Sequence, residues 1–254
     1  MNGKSTHAFG VDFYTGTKSE LLERIKEGVQ QPYSYIVTPN VDHLVLLKRS
    51  EGLRQAYAHA RLRICDSRIL APMLHSLGVH VREVIPGSDL TIDLLNWANQ
   101  NELRLVLIGA SDTECNRLRL RYPRIQIAHH NPPMGFIDRP AEVEQCLDFI
   151  RTHPSELVFY AVGAPRQEIL AAAVRSEERN GIGLCIGASI AFATGSVKRA
   201  PAWMQEARLE WLHRMCSEPR RLVKRYLQDF LFIVPAYYRE RLLRLQRGGS
   251  PSVD

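Results

Sequence analysis

Residues 103–110 read LRLVLIGA, an apolar run of strand length that ends in a glycine and an alanine. Two later stretches have the same form, LVFYAVGA at residues 157–164 and LCIGA at residues 184–188. Short apolar runs bounded by such residues are typical of buried strands. Small residues at the end of a parallel strand let a ligand approach the carboxyl edge of the sheet. The three stretches therefore predict a buried sheet with a ligand site where its strands end.

Helix-length amphipathic segments separate the predicted strands over the first 195 residues. Their apolar residues recur at three- and four-residue steps, which is the period of a helix. Strands are predicted at 35–38, 62–65, 103–108, 125–128, 157–162 and 184–186. Helices are predicted at about 41–60, 67–77, 88–101, 112–122, 139–152 and 165–180. This regular alternation predicts an α/β fold, with a mainly parallel Rossmann-like sheet and helices on both faces.

The charge pattern changes after about Gly195, where no further strand is predicted. Residues 197–247 hold twelve Lys and Arg against five Asp and Glu, a net charge of +7, whereas the whole chain carries +6. Arg-rich helices are predicted from about 201 to 246, with breaks near Pro219 and Pro235. We therefore expect an α/β catalytic body at 1–196, a basic amphipathic helical appendage at 197–247 and a disordered tail at 248–254.

Composition argues against several classes of protein. The 254 residues are 45% apolar and 24% charged, which is enough for one sizeable core. No run approaches the roughly 20 apolar residues that cross a bilayer, and no apolar signal core begins the chain, so we expect a cytoplasmic protein. The five cysteines form no CxxC pair, which argues against a zinc site or a disulfide framework. Neither GxxxxGK nor GxGxxG occurs, which argues against an ATPase or a dinucleotide-dependent epimerase.

The stretch TPNVDH at residues 38–43 follows the first predicted strand. Asn40 is a favourable N-cap residue for the next helix, and this structural role alone would account for the motif. The functional interpretation places Thr38, Asn40 and Asp42 along the carboxyl edge of the sheet. Hydroxyl and amide groups there would bind a sugar or a nucleotide.

Asp66 ends the next predicted strand, in the stretch Cys65-Asp66-Ser67-Arg68. It is either a cap for the following helix or a general base directed into the crevice. Transfer of a sugar to a hydroxyl needs such a base, because the hydroxyl loses its proton as the new bond forms. The residues alone leave both interpretations open.

The stretch GAPRQE at residues 163–168 joins a predicted strand to a helix. Gly163 permits close approach of the backbone, and the free amides of a helix N-terminus suit a phosphate. Arg166 would add a forked donor, and Gln167 both a donor and an acceptor. The pattern predicts an anion site formed by these three residues.

Two other motifs have simpler explanations. In PGSDL at residues 86–90, Ser88 or Asp89 suits the N-cap of a helix. The adjacent His129 and His130 lie in an extended segment, where neighbouring side chains point in opposite directions, so we expect no shared metal ion. We predict no metal site and no cofactor for the chain.

Five cations fall close together in the basic tail: Arg214, Arg220, Arg221, Lys224 and Arg225. A solvated helix face is one interpretation of such a run. The other is a pyrophosphate clamp, because the guanidinium fork matches phosphate oxygens. Apolar and aromatic neighbours would then face a bilayer interface. They are Trp203, Trp211, Leu212, Tyr226, Leu227, Phe230, Tyr237 and Tyr238.

Together these stretches resemble the WecG/TagA/CpsF family of bacterial glycosyltransferases. The resemblance runs in order from about residue 8 to 235 and includes TPNVDH, Asp66, PGSDL, GAPRQE and residues 197–227. It implies transfer of a hexose from a UDP-sugar to a sugar carried by undecaprenyl pyrophosphate, with inversion and without a required metal. Such enzymes assemble surface polysaccharides or exopolysaccharides.

The resemblance also implies roles for individual residues. Asp66 would be the catalytic general base. The donor and acceptor pocket would be lined by Thr38, Asn40 and Gln167. Pyrophosphate would be bound, once the appendage folds over the pocket, by Arg214, Arg221 and Arg225. The protein would associate peripherally with the cytoplasmic face of the inner membrane, and a homo-oligomer off the membrane is left open.

The chain departs from the family pattern near Asp66 and in two other motifs. Cys65 and Ser67 stand where relatives usually have Ala and Gly. Val84 stands where relatives usually have Arg, which leaves Arg82 as a candidate replacement, and Arg166 replaces the commoner Lys. These changes leave the reaction class unaltered but put the identity of the transferred sugar in doubt, since relatives use glucose, N-acetylmannosamine or its uronic acid.

A non-catalytic adaptor that binds anionic lipid or nucleic acid through the basic tail is the alternative hypothesis. An adaptor has no need of Asp66 or Gln167, so replacement of Asp66 by Asn distinguishes the two. Positive charge interleaved with large apolar side chains suits a phospholipid layer better than a nucleic acid. We therefore expect no nucleic-acid partner.

Overall fold

The computed structural model describes residues 6–175, 179–197 and 219–248, together with positions 201, 204, 212, 215 and 216. The side chains of residues 219–221 and 247–248 lie outside that description. A short antiparallel hairpin, β1 (His7–Ala8) and β2 (Val11–Asp12), precedes the main sheet. The sheet strands are β3 (Ser34–Val37), β4 (Leu62–Arg63), β5 (Arg104–Gly109), β6 (Gln126–His130), β7 (Leu157–Ala161) and β8 (Ile182–Cys185). They are all parallel, in the spatial order β4-β3-β8-β7-β5-β6.

Helices cover both faces of this sheet and enclose two apolar cores. The first face carries α2 (Val41–Arg49), α3 (Glu51–His59), α4 (Leu70–Ser76), α7 (Pro140–Thr152) and α8 (Arg166–Ala173). The second face carries α1 (Lys18–Gly28), α5 (Gly87–Gln100), α6 (Asp112–Arg121) and α9 (Ser189–Ala193). Because both faces are buried, the inner strands β5, β7 and β8 are largely continuous apolar runs. The predicted α/β architecture with helices on both faces is confirmed.

Alternate residues of each strand enter different cores. In β5, Val106 and Ile108 belong to the first core, and Leu105 and Leu107 to the second. This division follows from the two-residue period of a strand. The glycine that ends the same strand, Gly109, has φ +90°, and a Cβ there would lie 2.8 Å from the backbone of Ala161. Glycine is therefore required where β5 ends beside β7.

At several points of the sheet, neighbouring strands are followed by helices on opposite faces. The helix after β7, α8, lies on the first face, whereas the helix after the neighbouring β5, α6, lies on the second. The neighbours β3 and β8 differ in the same way, since α2 lies on the first face and α9 on the second. Points of this kind open a crevice at the carboxyl ends of the strands. The motifs at residues 38–43 and 163–168 both lie at these ends.

The predicted helix at 41–60 is two helices in the structure. Ser50 has extended backbone angles (φ −117°, ψ +113°) and separates α2 from α3. Its hydroxyl accepts a hydrogen bond from the Leu53 amide at 3.1 Å and so caps α3. The prediction of one continuous helix is wrong because this serine provides both an end and a start. The predicted helix at 165–180 is also shorter, since α8 ends at Ala173, and residues 176–178 lie outside the described part.

The last helix, Pro219–Gly248, is called the C-terminal helix here. The break predicted at Pro235 is wrong, because the helix continues through it. Contacts with the body occur on both sides of that proline: Ile233 is buried in the first core, and the Tyr237 hydroxyl lies 2.8 Å from that of Ser76. These contacts keep the two halves in one helix. Pro219 is its first residue, a position where proline is well tolerated.

The C-terminal helix packs on the first face of the sheet. Leu222, Asp229 and Ile233 are its buried residues, and Arg244 donates hydrogen bonds to the carbonyls of Leu77 and His7. Among the described residues, no helix is long and apolar enough to span a membrane. Most of residues 198–218, including Trp203 and Trp211, and residues 249–254 lie outside the description.

Four of the five cysteines are buried, as predicted for small apolar residues. They are Cys65, Cys115, Cys146 and Cys185. Cys216 differs, because it is exposed.

Candidate active site

Thr38 and Asn40 lie directly after β3. Thr38 is buried, and its hydroxyl donates to the Cys185 carbonyl at the end of β8 over 3.4 Å. Asn40 is the N-cap of α2, with its Oδ1 accepting from the His43 amide at 3.1 Å. The capping interpretation of Asn40 is thus confirmed. The cap uses Oδ1 and leaves the two donors of Nδ2 available for a ligand.

Asp66 lies at the same edge, after β4, and is partly exposed. Its backbone amide donates to the Pro39 carbonyl at 3.1 Å, which holds it beside the Thr38–Asn40 loop. Its Oδ1 accepts a hydrogen bond of 2.8 Å from the amide of Gly87, the first residue of α5. The positive end of the helix stabilises the carboxylate. One carboxylate oxygen is therefore held by the fold at the start of α5.

The N-terminus of α5 differs from the expectation drawn from PGSDL. Its N-cap residue is Pro86, which has no side-chain capping bond, so neither Ser88 nor Asp89 caps this helix. Asp66 supplies the acceptor from 21 residues upstream. The Asp66 cap is thus real, but it serves α5 rather than the helix that follows Asp66.

Gly87 brings Thr38 and Asp66 together. A Cβ on Gly87 would lie 3.5 Å from Cγ2 and 3.6 Å from Oγ1 of Thr38, while the Gly87 amide is bound by Asp66. The threonine hydroxyl and the carboxylate therefore flank the first residue of α5.

The GAPRQE stretch lies at the end of β7. Gly163 has φ +75°, and a Cβ there would meet the Arg166 Nη2 at 3.3 Å, so the guanidinium folds over this glycine. The helix α8 then begins at Arg166. The predicted combination of a glycine, a helix N-terminus and an arginine is present at one point of the crevice.

Gln167 connects the ends of β7 and β8. It is buried, and its Oε1 accepts a hydrogen bond from the Gly187 amide at 2.9 Å. Gly187 follows Cys185, whose carbonyl binds Thr38. Thr38, Asp66 and Gln167, which are far apart in sequence, are therefore linked through the ends of adjacent strands.

Arg225 of the C-terminal helix reaches this edge and pairs with Asp42, with Nη1 and Oδ2 3.8 Å apart. Its Nε is buried and has no hydrogen-bond partner among the described residues. One turn further, burial raises the pKa of Asp229 to about 6, the charge of Asp42 adds to this, and Arg225 opposes it. Asp42 thus faces the C-terminal helix, and Arg225 carries an unused donor beside it.

The other two predicted arginines lie outside the described side chains. Arg214 is outside the described residues, and Arg221 is described only as helical backbone. Arg82, the candidate replacement for the arginine absent at Val84, pairs with Glu20 of α1 at 3.1 Å and is 63% exposed. In this structure Arg82 therefore binds α1 at the surface.

Glu168 and His43 are two buried groups at this edge that the sequence did not indicate as site residues. Burial raises the pKa of Glu168 to about 7 and lowers the pKa of His43 to about 4, where the charge of Arg225 contributes as well. His43 Nδ1 lies 2.8 Å from the Tyr57 hydroxyl. A glutamate in the first turn of a helix normally indicates a favourable charge at the helix N-terminus, so its burial had no local signal.

The described residues contain no group of three or more His, Cys, Asp and Glu side chains arranged to hold a metal ion. His129 Nε2 lies 2.9 Å from the Gly109 carbonyl, whereas the His130 ring stacks on Phe149 with centroids 5.3 Å apart. The two neighbouring rings therefore have different surroundings.

A family model, described as the glycosyl transferase WecG/TagA/CpsF family, matches residues 6–247. The chain belongs to this family. Family membership makes the chain a glycosyltransferase and argues against a non-catalytic adaptor.

Similar sequences from the WecG/TagA/CpsF family include proteins of Staphylococcus aureus strains MW2 and NCTC 8325 / PS 47. Both are named N-acetylglucosaminyldiphosphoundecaprenol N-acetyl-beta-D-mannosaminyltransferase. Each is 25% identical over 228 residues, which cover 87% of this chain and 88% of the relative. The similarity therefore extends over nearly the whole length of both proteins.

Proposed function

We propose that this glycosyltransferase moves a hexose from a UDP-sugar to a sugar carried by undecaprenyl pyrophosphate, in assembly of a bacterial surface polysaccharide or exopolysaccharide. The names of the S. aureus relatives specify an acceptor of this kind, N-acetylglucosaminyldiphosphoundecaprenol. The observation that carries the proposal is that Thr38 and the Asp66 carboxylate both lie against Gly87 at the N-terminus of α5. In the proposal, this end of the helix brings a base and a hydroxyl group to one point of the crevice.

In the proposed reaction Asp66 acts as the general base. Its carboxylate removes the proton from the acceptor hydroxyl as that oxygen attacks the anomeric carbon. The bond from the anomeric carbon to the diphosphate oxygen breaks, UDP leaves with the electron pair, and Asp66 later releases the proton to water. A single displacement of this kind inverts the anomeric configuration.

The leaving diphosphate is stabilised by groups at the start of α8. Amides of a helix N-terminus point toward an anion, and Arg166, folded over Gly163, adds a forked donor. Preorganised donors of this kind stabilise charge that develops in the transition state. They support our proposal that transfer does not depend on a metal, which assays with and without EDTA test.

The acceptor pyrophosphate lies beside Arg225 in this proposal. The Nε of Arg225, which has no hydrogen-bond partner in the described part of the chain, suits a phosphate oxygen, and the C-terminal helix lies over Asp42. We therefore divide the chain functionally into a catalytic body, 1–196, and an acceptor-binding appendage, 197–247. Arg214 and Arg221 remain candidates for the same anion.

The C-terminal helix presents an apolar stripe away from the body. Its exposed members are Val223, Leu227, Phe230, Leu231, Tyr238, Leu242 and Leu245. Lys224, Arg239 and Arg241 are exposed on the same helix. Apolar side chains flanked by cations suit the interface of an anionic bilayer, which supports peripheral attachment to the cytoplasmic face of the inner membrane. Tyr237 was expected at that interface, but it faces Ser76 of the body.

A panel of UDP-sugars with a synthetic polyprenyl-pyrophosphoryl sugar tests the proposal. The panel includes UDP-N-acetylmannosamine, UDP-glucose and the uronic acid of UDP-N-acetylmannosamine. We expect transfer of one hexose, with release of UDP and inversion at the anomeric carbon. Binding of UDP-sugars without transfer to any polyprenyl-linked acceptor contradicts the proposed acceptor, and retention of configuration contradicts the single displacement.

A further inference from the structure

Glu168 is a buried carboxyl group that the proposed reaction does not use. It follows Gln167 in the first turn of α8, and none of its surface is exposed. It makes no ion pair with a described residue, and its Oε2 has no hydrogen-bond partner among them. A buried carboxyl group with an unsatisfied oxygen is unfavourable for folding. Stability is therefore a poor explanation for a glutamate at this position.

The other oxygen of Glu168 binds the pocket residue Gln167. Glu168 Oε1 accepts a hydrogen bond from Gln167 Nε2 at 2.7 Å. Gln167 Oε1 in turn accepts from the Gly187 amide at 2.9 Å. The two bonds fix which end of the Gln167 amide faces Gly187. If the amide were flipped, its NH₂ group would face the N–H of Gly187 and the hydrogen bond between them would be lost. A primary amide has two hydrogens and two lone pairs, so one of each remains for a substrate.

We propose that Glu168 is a positioning residue, which holds the Gln167 amide in the orientation that binds substrate at the ends of β7 and β8. This inference rests on the proposed function, because it assigns Gln167 to the donor and acceptor pocket. Glu168 is fully buried and would act through Gln167.

The groups around Glu168 support this assignment. Asp42 of α2 is a charged neighbour that disfavours its ionised form. Tyr35 of β3, Tyr57 of α3 and Cys185 of β8 also interact with it electrostatically, and Asp42 in turn pairs with Arg225 and interacts with Asp229 of the C-terminal helix. None of these is a cation in contact with Glu168. The Gln167 amide is the side chain that donates a hydrogen bond to Glu168.

A double-mutant cycle tests the inference in the full-length protein. The variants are Glu168→Leu, Glu168→Gln, Gln167→Ala and Gln167→Ala with Glu168→Leu, assayed with the substrates that the wild-type enzyme uses. We expect Glu168→Leu to lower kcat at least tenfold without lowering the melting temperature. Glu168→Gln, whose amide oxygen can accept the same bond, should keep most of the rate. In the Gln167→Ala background, Glu168→Leu should change kcat less than twofold, because contacting residues are not additive.

Wild-type kcat in Glu168→Leu, or an equal loss in both backgrounds, overturns the inference. A wild-type protein that transfers no sugar contradicts the proposed function instead. Nitrogen-15 NMR of the Gln167 side-chain amide then decides the inference separately. Its two proton resonances should shift in Glu168→Leu and stay close to wild type in Glu168→Gln. Unchanged resonances in Glu168→Leu show that Glu168 does not orient this amide.

Discussion

Asp66 has two separable tasks at the residue scale, because one oxygen caps α5 and the carboxylate is the proposed base. Asp66→Asn keeps an acceptor for the Gly87 amide and removes the base. We expect transfer to fall between about 10²- and 10⁴-fold, with UDP affinity and melting temperature close to wild type. Initial rates, calorimetric titration with UDP and thermal unfolding measure the three quantities.

Asp66→Ala is the matched control, because it removes the base and the cap together. It should lose about 0.5–2 kcal/mol of unfolding free energy, as loss of a helix cap does, in addition to the loss of transfer. If Asp66→Asn retains full transfer, Asp66 is a structural cap and the base lies elsewhere.

Glu168 should make the stability of the fold depend on pH. Burial raises its pKa to about 7 from the ordinary value of 4.5, so the folded state holds a proton that the unfolded state releases above about pH 4.5. Linkage then requires the stabilising contribution to be present below pH 4.5 and to be lost as pH rises to about 7. Asp229, with its pKa raised to about 6, acts in the same direction.

Urea unfolding of the wild type and Glu168→Gln at pH 5 and pH 8 isolates the contribution of Glu168 to the pH dependence of stability. The unfolding free energy of the wild type, relative to Glu168→Gln, should decrease from pH 5 to pH 8. Asp229→Asn provides a second comparison. The unfolding free energy of the wild type, relative to this variant, should decrease over a lower pH range than it does relative to Glu168→Gln. Parallel pH profiles for the wild type and Glu168→Gln would show that Glu168 titrates alike in both states.

The sequence indicated Thr38, Asp66 and Gln167 because each follows a strand in a motif of polar and small residues. It did not indicate Glu168, since the burial of its side chain depends on α3, which packs against α8. Nor did it indicate that Asp66 caps α5, a contact across 21 residues. Strand ends are local signals, whereas hydrogen-bond partners at those ends are set by the arrangement of strands in the sheet.

At the scale of elements, the exposed stripe of the C-terminal helix predicts membrane binding. Leu227 and Phe230 are 58% and 63% exposed, so their replacement by serine should leave the fold intact. Burial of each large apolar side chain contributes about 1.5–3 kcal/mol. The double variant should therefore bind anionic vesicles at least about tenfold more weakly in co-sedimentation.

Leu120→Ser is the control for that experiment. Leu120 is 83% exposed but lies on α6, on the second face of the sheet, away from the C-terminal helix. Vesicle binding should not change in this variant. Equal weakening by Leu120→Ser and by the stripe variant would argue against a specific membrane face.

The predicted element boundaries agree with the structure where the periodic pattern of apolar residues is clear. They differ where one residue can have two structural roles. Ser50 is polar at a position that fits a helix, yet it ends α2 and caps α3. Helix α1 was not among the predicted helices, although its sequence contains a capping box. Thr17 accepts a hydrogen bond from the Glu20 amide, and the Glu20 side chain accepts one from the Thr17 amide. Pro235 stays in a helix because contacts with the body lie on both sides of it.

At the scale of the whole molecule, the alternation of strands and helices predicted the α/β class but not the order of the strands. The last strand in sequence, β8, inserts between β3 and β7. That insertion brings Gly187 to Gln167 and Cys185 to Thr38, and so assembles the site. No local sequence pattern predicts this strand order, because the position of β8 depends on how the other strands pair in the sheet.

The whole-molecule arrangement also predicts the effect of removing the appendage. All six sheet strands lie before residue 186, so a chain that ends at Val197 should keep the α/β body and bind UDP. It loses Arg225 and the membrane stripe, and transfer to a polyprenyl-linked acceptor should be abolished. Because Leu222 and Ile233 are buried against the body, the truncated chain should also melt at a lower temperature.

Far-UV circular dichroism, UDP titration and a transfer assay on vesicles measure these effects in the truncated chain. A truncated protein with UDP affinity but no transfer shows that the appendage is needed for transfer on vesicles. Addition of a short, water-soluble prenyl-pyrophosphoryl acceptor separates the two functions of that region. If this acceptor restores transfer, the appendage serves mainly as a membrane contact. If it does not, Arg225 and the rest of the helix are needed to bind the acceptor itself, because the soluble acceptor removes the requirement for a membrane.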